Sequence, residues 1–339
     1  MHYSMTLETV QRYDHSRLTK QGGRAVVIGA SMAGLSGARA LADAFDEVIV
    51  IEKDSLPDGS VARRGVPQAN HVHVLLEAGW QSLEDFFPGF LDELTAEGGI
   101  VLDDNSSSKS YSGGNSLADP PEKPPVYMAS RPLMESIVRQ RVDSTDNISL
   151  QEGSQFVKYL SDEDSSTITG VEVRDETTEL VTYDTDLVVD ATGKTSRTPK
   201  WLETHGYESP DVDKVSINLA YSTAYVERPP EDLTTITVRP TPSLPRGGVA
   251  IPVEGDRWVV TLWGMHGDQP PHDIDEYVEY AESFPIPDLA DLLTEHQILS
   301  DTVDYYPYPM SRRRRYEDLD QFPDGLVVMG DAIASFNPT

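Results

Sequence analysis

The 339-residue chain contains no cysteine. It can therefore form no disulfide bond, no thiolate nucleophile and no cysteine-ligated metal centre. No apolar run approaches the roughly 18 residues that span a bilayer, so we expect no integral membrane segment. The polar stretch before Gly23 lacks the apolar core of a secretory signal, and it predicts a flexible leader over residues 1–21. Together these absences favour a cytoplasmic location.

Positive charge is also scarce. The chain has 27 basic against 57 acidic residues, a formal net charge of −30, and only eight of the basic residues are lysine. The acids lie in nearly every loop rather than in one tail. Such a surface opposes nucleic acid and anionic membranes, although concentrated salt would screen its field. The even acidity and the shortage of lysine predict a halophilic type of adaptation.

The most informative stretch that is present is residues 24–54, RAVVIGASMAGLSGARALADAFDEVIVIEKD. A short apolar run at 25–28 predicts a buried strand, the small residues 29–34 predict a tight turn, and an Ala- and Leu-rich helical pattern follows. A second apolar run at 48–51 ends in Glu52. A Gly-rich turn in this strand–turn–helix–strand context indicates a dinucleotide site.

Each part of this unit has a physical role in binding a dinucleotide. Gly29 allows a sharp turn, Ser31 stands in place of the usual middle glycine where backbone approaches a pyrophosphate, and Gly34 lets the helix pack closely. The first helical N–H groups favour the phosphate charge. Glu52 is placed to accept hydrogen bonds from an adenosine ribose, which favours FAD or NAD over NADP. The alternative is an ordinary parallel βαβ unit with a small-residue turn.

The remaining segments are distinguished by their periodicity. In chain order they predict a helix at 71–87, a loop or linker at 103–126, a helix at 129–142, a β-meander at 149–191, an antiparallel sheet at 213–263, a helix at 274–299 and a strand at 325–328.

Three of these segments together carry a family resemblance. GASMAG with Glu52, DLVVDATGKTS, and GLVVMGDAIASFNP resemble the three FAD-contacting segments of flavoprotein monooxygenases of the p-hydroxybenzoate hydroxylase type. The stretch RRGVPQANHVHVLLEAG is similar to the subgroup that includes flavin epoxidases of polyether biosynthesis and squalene-epoxidase-like or polyprenyl-phenol hydroxylase-like proteins. The resemblance covers almost the whole chain from Arg24.

The resemblance implies specific cofactor contacts. Gly29, Ser31 and Gly34 match the pyrophosphate turn, Arg131 matches an arginine that approaches FAD, and Asp331 matches an aspartate that binds a ribityl hydroxyl. The full set of implied cofactor-binding residues is Gly29, Ser31, Met32, Ala33, Gly34, Glu52, Lys53, Arg131, Thr192, Gly193, Gly330, Asp331 and Pro338. Two departures stand out: Thr192 replaces the aspartate of an Asp-Gly pair, and the helix expected after Pro338 is absent, which suggests a chain truncated at its C-terminus.

The implied fold is an α/β (mixed α+β) architecture. A Rossmann-like FAD-binding domain with a parallel sheet would comprise residues 22–206 and 324–339, and an antiparallel-sheet substrate domain would be inserted at 207–323. The resemblance further implies an enzyme that takes electrons from NAD(P)H and transfers one oxygen atom of O2, through a flavin hydroperoxide, to a hydrophobic aromatic or alkene substrate. No side chain stands out as a catalytic acid or base, and nothing in the sequence predicts an oligomeric state.

Two other functions compete with this hypothesis. A flavin reductase of isoprenoid double bonds, of the geranylgeranyl-reductase-like kind, would share the same FAD segments. A non-catalytic dinucleotide-binding protein would share them as well. A flavin halogenase is disfavoured because no Trp-x-Trp-x-Ile-Pro stretch occurs.

Several further residues invite a functional or a merely structural interpretation. His71 and His73 lack a third metal partner at useful spacing, so we expect no metal site there, and they either line the loop between the domains or pack the following helix. Arg63 and Arg64 either contact flavin phosphates or a reductant, or are solvated loop arginines. The run at 312–315 pairs with surface acids or steers an anionic cofactor rather than binding nucleic acid. Which of the sheet aromatics face a substrate is left open: Trp258, Trp263, Tyr305, Tyr306 and Tyr308.

Overall fold

The computed structural model describes residues 12–103, 106–118 and 125–337. The α-helices of these ranges are α1 Met32–Ala42, α2 Glu77–Phe86, α3 Phe90–Ala96, α4 Arg131–Asp143, α5 Thr198–Thr204, α6 Asp275–Glu282 and α7 Asp288–Glu295. The strands are β1 Gly22–Ile28, β2 Phe45–Ile51, β3 Ile100–Leu102, β4 Ser108–Ser112, β5 Asn115–Ser116, β6 Val126–Met128, β7 Ile148–Gln151, β8 Gln155–Ser161, β9 Ile168–Arg174, β10 Leu180–Asp184, β11 Leu187–Asp190, β12 Val212–Glu227, β13 Thr235–Arg239, β14 Arg246–Val253, β15 Arg257–Gly264, β16 Asp304–Arg314, β17 Leu326–Val328 and β18 Ala334–Ser335.

A five-stranded parallel sheet forms the centre of the first layer. Its strand order is β17-β11-β1-β2-β7, and every neighbouring pair is parallel. Both faces of β1 are buried: Ala25 and Val27 pack towards α1 and α4, whereas Val26 and Ile28 pack towards α5 and a three-stranded sheet of β8, β9 and β10. A strand covered on both faces reads as a continuous apolar run, which is the pattern of residues 25–28.

An eight-stranded sheet forms the second layer. Its order is β18-β16-β12-β15-β14-β13-β4-β5. One face is covered by α6 and α7, through a core that includes Ala224, Val260 and Leu262. Residues directly opposite one another in paired strands share a face. Tyr221 opposes both Trp263 and Tyr306, so these three side chains form a row on the other face.

Three sequence-based assignments of elements need correction. The helix expected at 71–87 begins only at Glu77, after an extended segment. The single helix expected at 274–299 is two helices, because Pro285 and Pro287 interrupt it and proline cannot continue a helical hydrogen-bond ladder. Part of the loop expected at 103–126 is the strand β4, whose polar backbone is satisfied by parallel pairing with β13.

The predicted leader and the end of the chain lie partly outside the described residues. Residues 1–11 and Pro338 are not among them. The described part of the leader is attached to the body rather than free: the Arg12 guanidinium pairs with Asp85, and the Tyr13 hydroxyl donates to Asp43. Strands β4 and β5 extend the antiparallel sheet although their residues fall within the predicted range 22–206.

Candidate functional site

The turn between β1 and α1 is closed by two glycines. Gly29 has φ +107°, a conformation that disfavours any side chain, and its N–H donates to the Ile51 carbonyl at 2.8 Å. A Cβ on Gly34 would stand 1.7 Å from the Gly29 carbonyl oxygen and 3.4 Å from the Ala191 Cβ. The turn is therefore so tight that only glycine fits at position 34, as the sequence predicts for close helix–strand packing.

The three segments of the family resemblance meet at one place. Strands β17, β11 and β1 are neighbours, so their carboxyl ends lie side by side. A Cβ on Gly330 would stand 2.9 Å from the Ala33 Cβ, and one on Gly193 would stand 3.8 Å from the Asp331 Cβ. Asp331 itself is exposed on a short 3₁₀ turn. The sequence-predicted residues at 29–34, 192–193 and 330–331 thus form one continuous backbone surface.

Glu52 is tied to the first turn. Its carboxylate accepts the Ala30 N–H at 2.9 Å and the Asp54 N–H at 3.1 Å, and it pairs with Arg63 at 3.1 Å. The side chain is only 6% exposed. Lys53, the next residue, lines an open polar cleft of about 550 Å³ at the carboxyl end of β2. The two predicted residues therefore lie at the same sheet edge but point to different surroundings.

Arg131 belongs to a buried ion network at the mouth of the turn. It begins α4, which Ser130 caps by accepting the Leu133 N–H at 3.2 Å. The Arg131 guanidinium donates to Ser31 Oγ at 2.9 Å and to Glu135 at 3.1 Å. Glu135 also receives the Nε–H of Arg63 at 3.2 Å. The network links the first turn to α4 and holds two guanidinium groups beside Ser31.

Two members of this network, Arg63 and Glu135, were not predicted as a unit. Arg63 donates to the Ala30 carbonyl at 2.9 Å, and its side chain is only 7% exposed, so it is not a solvated loop arginine. The i, i+4 spacing of Arg131 and Glu135 was a sequence signal for their pairing. No local pattern connects either residue to Arg63, because 72 positions separate Arg63 from Glu135.

Asp190 organises the turn that follows β11, residues 191–198, which is the second turn of the site. It is fully buried at the end of β11. Its carboxylate accepts the Thr192 N–H at 3.0 Å and the hydroxyls of Thr192, Ser196 and Thr198, each at 2.6 Å. Thr192 stands where the family resemblance implies an aspartate, and it donates two hydrogen bonds to Asp190. Charge-assisted hydrogen bonds of this kind hold residues 191–198 in place.

The arginine run at 312–315 joins the two layers. Arg314 is buried, and its guanidinium donates to the Ala332 carbonyl at 2.6 Å and to the Lys194 carbonyl at 3.2 Å. Arg312 also donates to Lys194 O. The expectation of pairing with surface acids applies to the other two residues, since Arg313 pairs with Glu317 and Arg315 with Asp213.

The structure sorts the aromatic residues of the sheet. Trp258 faces α6 and α7, and Tyr305 lies on the same side, stacked on His272. Trp263, Tyr306 and Tyr308 lie on the opposite face, together with Tyr221. That face meets the second turn, because the Lys194 ammonium donates to Tyr306 Oη at 3.0 Å.

His71 covers the same face of the sheet. Its Nδ1 lies 2.7 Å from Thr223 Oγ1, and its ring centroid is 5.6 Å from that of Tyr306. Burial, with a smaller contribution from the charge of His73, lowers the pKa of His71 to about 4. The imidazole is therefore neutral at neutral pH. Of the two structural interpretations, His71 lies between the layers rather than capping α2.

The depressed pKa of His71 predicts an acid sensitivity of the fold. The unfolded chain binds a proton at the ordinary histidine pKa and the folded chain resists it, so stability is complete above that pKa and falls as pH decreases towards 4. Between about pH 7.5 and about pH 5 this group should remove about 2 kcal/mol from the free energy of unfolding. Urea unfolding of the wild type and His71→Gln at both pH values measures the difference. An equal pH dependence in the two proteins would contradict the prediction.

Within residues 12–103, 106–118 and 125–337, no group of three or more His, Asp or Glu side chains could hold a metal ion. Over the same ranges, no helix is long and apolar enough to cross a membrane.

The residues present fit an FAD molecule. The three turns approach one another closely, since an added Cβ would stand 2.7 Å from the Ala191 carbonyl oxygen at Gly29 and 2.9 Å from the Ala33 Cβ at Gly330. The N-terminus of α1 supplies free N–H groups and a positive dipole end at the same place. Arg131 adds a guanidinium beside Ser31, and Glu52 adds a carboxylate at the end of β2. Phosphate and ribose groups need this set of donors and acceptors.

Glycine turns that converge at the carboxyl ends of adjacent parallel strands define a dinucleotide-binding α/β protein. More narrowly, the chain belongs to the FAD dependent oxidoreductase family, whose profile matches residues 25–196. It is 33% identical over 339 residues to Protein Rv3254 of Mycobacterium tuberculosis, covering 93% of this chain and 68% of that protein.

Solved structures share the fold at low sequence identity. The flavin-dependent brominase Bmp2 superposes with a TM-score of 0.67 at 15% identity, covering 94% of this chain and 74% of the brominase. PqsL, a probable FAD-dependent monooxygenase from Pseudomonas aeruginosa, gives 0.64 at 16% identity, covering 94% and 80%. The 2-methyl-3-hydroxypyridine-5-carboxylic acid oxygenase gives 0.64 at 18% identity, covering 94% and 77%. These likenesses establish the fold.

The predicted fold class and family resemblance are therefore confirmed. The protein is an enzyme, an FAD-dependent oxidoreductase. The subgroup resemblance, the domain boundaries and the individual FAD contacts stay predictions.

Proposed function

We propose that the protein is an FAD-dependent monooxygenase that takes electrons from NAD(P)H and transfers one oxygen atom of O2 to an aromatic or alkene substrate. The observation that carries the proposal is the contact of the turn of Lys194 with the aromatic face of the antiparallel sheet, through Tyr306, beside the place where the three turns meet. A cofactor held by the turns would have one side towards that face. PqsL, a probable FAD-dependent monooxygenase, and 2-methyl-3-hydroxypyridine-5-carboxylic acid oxygenase share this fold.

Each predicted contact has a chemical role in this proposal. The turn of Gly29, Ser31 and Gly34 and the first N–H groups of α1, at Met32 and Ala33, would hold the pyrophosphate with Arg131. Glu52 would accept ribose hydroxyls, with Lys53 at the adenine side. Asp331 would accept a ribityl hydroxyl. The remaining residues of the flavin cradle are Thr192, Gly193, Gly330 and Pro338, the last outside the described residues.

The chain's own contribution to catalysis is positioning and exclusion of water. When bound, FAD supplies the electron transfer and the activation of O2. The sheet face supplies aromatic rings against which an apolar substrate can lie, and the neutral His71 keeps that face free of a second positive charge. The second turn carries no aspartate at position 192, so reduction of the flavin by NAD(P)H would depend on contacts other than that side chain.

The experiment that tests the proposal combines a spectrum with turnover. Protein purified in concentrated salt, with FAD added, should show the two visible absorption bands of oxidised flavin, and NADH or NADPH should bleach them anaerobically. Oxygen consumption that depends on NAD(P)H and on an aromatic or alkene substrate supports a monooxygenase. Anaerobic saturation of an isoprenoid double bond would instead identify a reductase. A protein that binds FAD but is reduced by neither nucleotide would contradict the proposal.

A further inference from the structure

Among the residues that the structure describes, no carboxylate lies within ion-pair distance of the Lys194 ammonium, although the chain is strongly acidic. Lys20, Lys109, Lys158 and Lys200 each lie within 3.5 Å of a carboxylate oxygen. The ammonium of Lys194 takes part in none of the ion pairs of the described residues. It is partly buried, and its contacts are Tyr306 Oη at 3.0 Å and the ring face of Tyr308, whose centroid lies 4.2 Å away. Aromatic faces stabilise the cation without neutralising it.

The donors at this place outnumber the acceptors. An ammonium has three N–H donors, and the described residues supply an acceptor for one of them, Tyr306 Oη. That phenol oxygen receives the lysine proton, so its own O–H is a further donor, for which the same residues provide no acceptor. Two kinds of donor, an ammonium and a phenol, therefore converge within 3.0 Å of each other. This is the arrangement that binds a carboxylate.

Two arginines hold the backbone of Lys194 in place. Its carbonyl accepts hydrogen bonds from the guanidinium groups of Arg312 and Arg314. Its backbone lies in the 3₁₀ turn Gly193–Thr195, next to the turn Gly330–Ala332. The side chain leaves this cofactor turn and reaches the sheet, since the residues it contacts are both on β16. An anion bound there would lie on the substrate side of the turn.

The neighbouring side chains are aromatic. Tyr221 opposes Tyr306 on the adjacent strand, and the ring of His71 lies 5.9 Å from Tyr221 and 5.6 Å from Tyr306. A ligand of this site would place a charged oxygen at Lys194 and a planar, unsaturated body against the rings.

We propose that Lys194 and Tyr306 form a subsite for the carboxylate of an unsaturated organic acid, and that the substrate is such an acid rather than a neutral hydrocarbon. The inference rests on the proposed function, because it assumes that this sheet face receives the substrate. Lys194 then offsets, at the point of binding, the repulsion that a chain of net charge −30 exerts on an anion.

The test measures binding of trans-cinnamate and of its neutral counterpart cinnamamide by titration calorimetry, with and without FAD. The wild type should bind cinnamate more tightly than cinnamamide. Lys194→Met should weaken cinnamate binding about ten- to hundred-fold, because a hydrogen bond between charged groups is lost. It should leave cinnamamide binding unchanged. Lys194→Arg, which keeps the charge, should restore most of the affinity. Lys200→Met removes an exposed lysine that pairs with Glu203, and this matched control should behave as the wild type.

Two results would overturn the proposal: equal cinnamate affinity in Lys194→Met and the wild type, or a wild type that does not prefer cinnamate over cinnamamide. The affinity for FAD, measured by quenching of flavin fluorescence in the same variants, shows whether Lys194 binds the substrate carboxylate or an anionic group of FAD. If Lys194→Met lost FAD and kept cinnamate, Lys194 would belong to the cofactor site and the substrate proposal would fail. If cinnamate binding depended on Lys194 while the wild type showed no NAD(P)H-dependent oxygen consumption, the subsite would stand and the proposed function would fall.

Discussion

Gly34→Ala should abolish flavin binding and destabilise the protein more than any other single change described here. The new Cβ would stand 1.7 Å from the Gly29 carbonyl oxygen, well inside van der Waals contact, and that oxygen belongs to rigid backbone. To relieve the overlap, α1 must move away from β1 and widen the turn. Such overpacking should lower the free energy of unfolding by at least about 3 kcal/mol. The displaced N–H groups of α1 should no longer converge on a pyrophosphate.

The measurements are urea unfolding and the flavin content of protein purified with added FAD. Gly59→Ala is the matched control, because an added Cβ there meets nothing within 4 Å. It should leave both quantities unchanged. A Gly34→Ala protein that keeps wild-type stability and a full complement of FAD would show that the turn is not the tight dinucleotide turn described here.

Arg314→Met should uncouple the two cofactor turns from the antiparallel sheet. The buried guanidinium of Arg314 donates to the carbonyls of Lys194 and Ala332, one in each turn. Methionine has a similar length but no donor, so it leaves both carbonyls without this partner. We expect the free energy of unfolding to fall by about 3 kcal/mol, since hydrogen bonds to charged groups contribute about 1.5–3 kcal/mol each. FAD affinity should fall at least about ten-fold, because two of its three backbone segments lose their common support.

The same strand provides the control for this prediction. Arg313→Met removes an exposed ion pair with Glu317, and exposed pairs contribute little. The two variants should be compared by urea unfolding and by the FAD dissociation constant. Arg314→Lys should not rescue the loss, because a single ammonium cannot reproduce the planar fork that reaches both carbonyls. Equal behaviour of Arg313→Met and Arg314→Met would exclude the coupling role of Arg314.

The features that the sequence predicted correctly are those that depend on neighbouring residues. The strand β1 and the turn at Gly29 follow from a continuous apolar run and a glycine, both local patterns. One wrong assignment has a local cause, since Pro285 and Pro287 stop a helix. The strand β4 has a long-range cause, because its polar residues carry no apolar alternation and it is held by backbone pairing with the distant β13.

The parts of the candidate site that sequence reasoning missed are long-range. Arg63 and Glu135 meet although 72 positions separate them, and Arg314 reaches the carbonyl of Lys194 across 120 positions. A carbonyl acceptor leaves no trace in the sequence, because every residue has one. The sequence also could not predict that Trp258 packs against α6 and α7 whereas Trp263 lies on the other face of the sheet. Strand alternation assigns residues to opposite faces but does not say which face α6 and α7 will cover.

The sequence by itself determined the family of the chain and the parallel βαβ unit, because each depends on short patterns of neighbouring residues, and its resemblance to known flavoproteins predicted three segments that would contact FAD. Only the tertiary structure decided that these segments converge, that Arg314 supports two of them, and that Lys194 turns its charge towards the aromatic face of the sheet. The physical reason is that convergence depends on strand order and on packing between layers. Both are set by the burial of the whole chain rather than by any one segment.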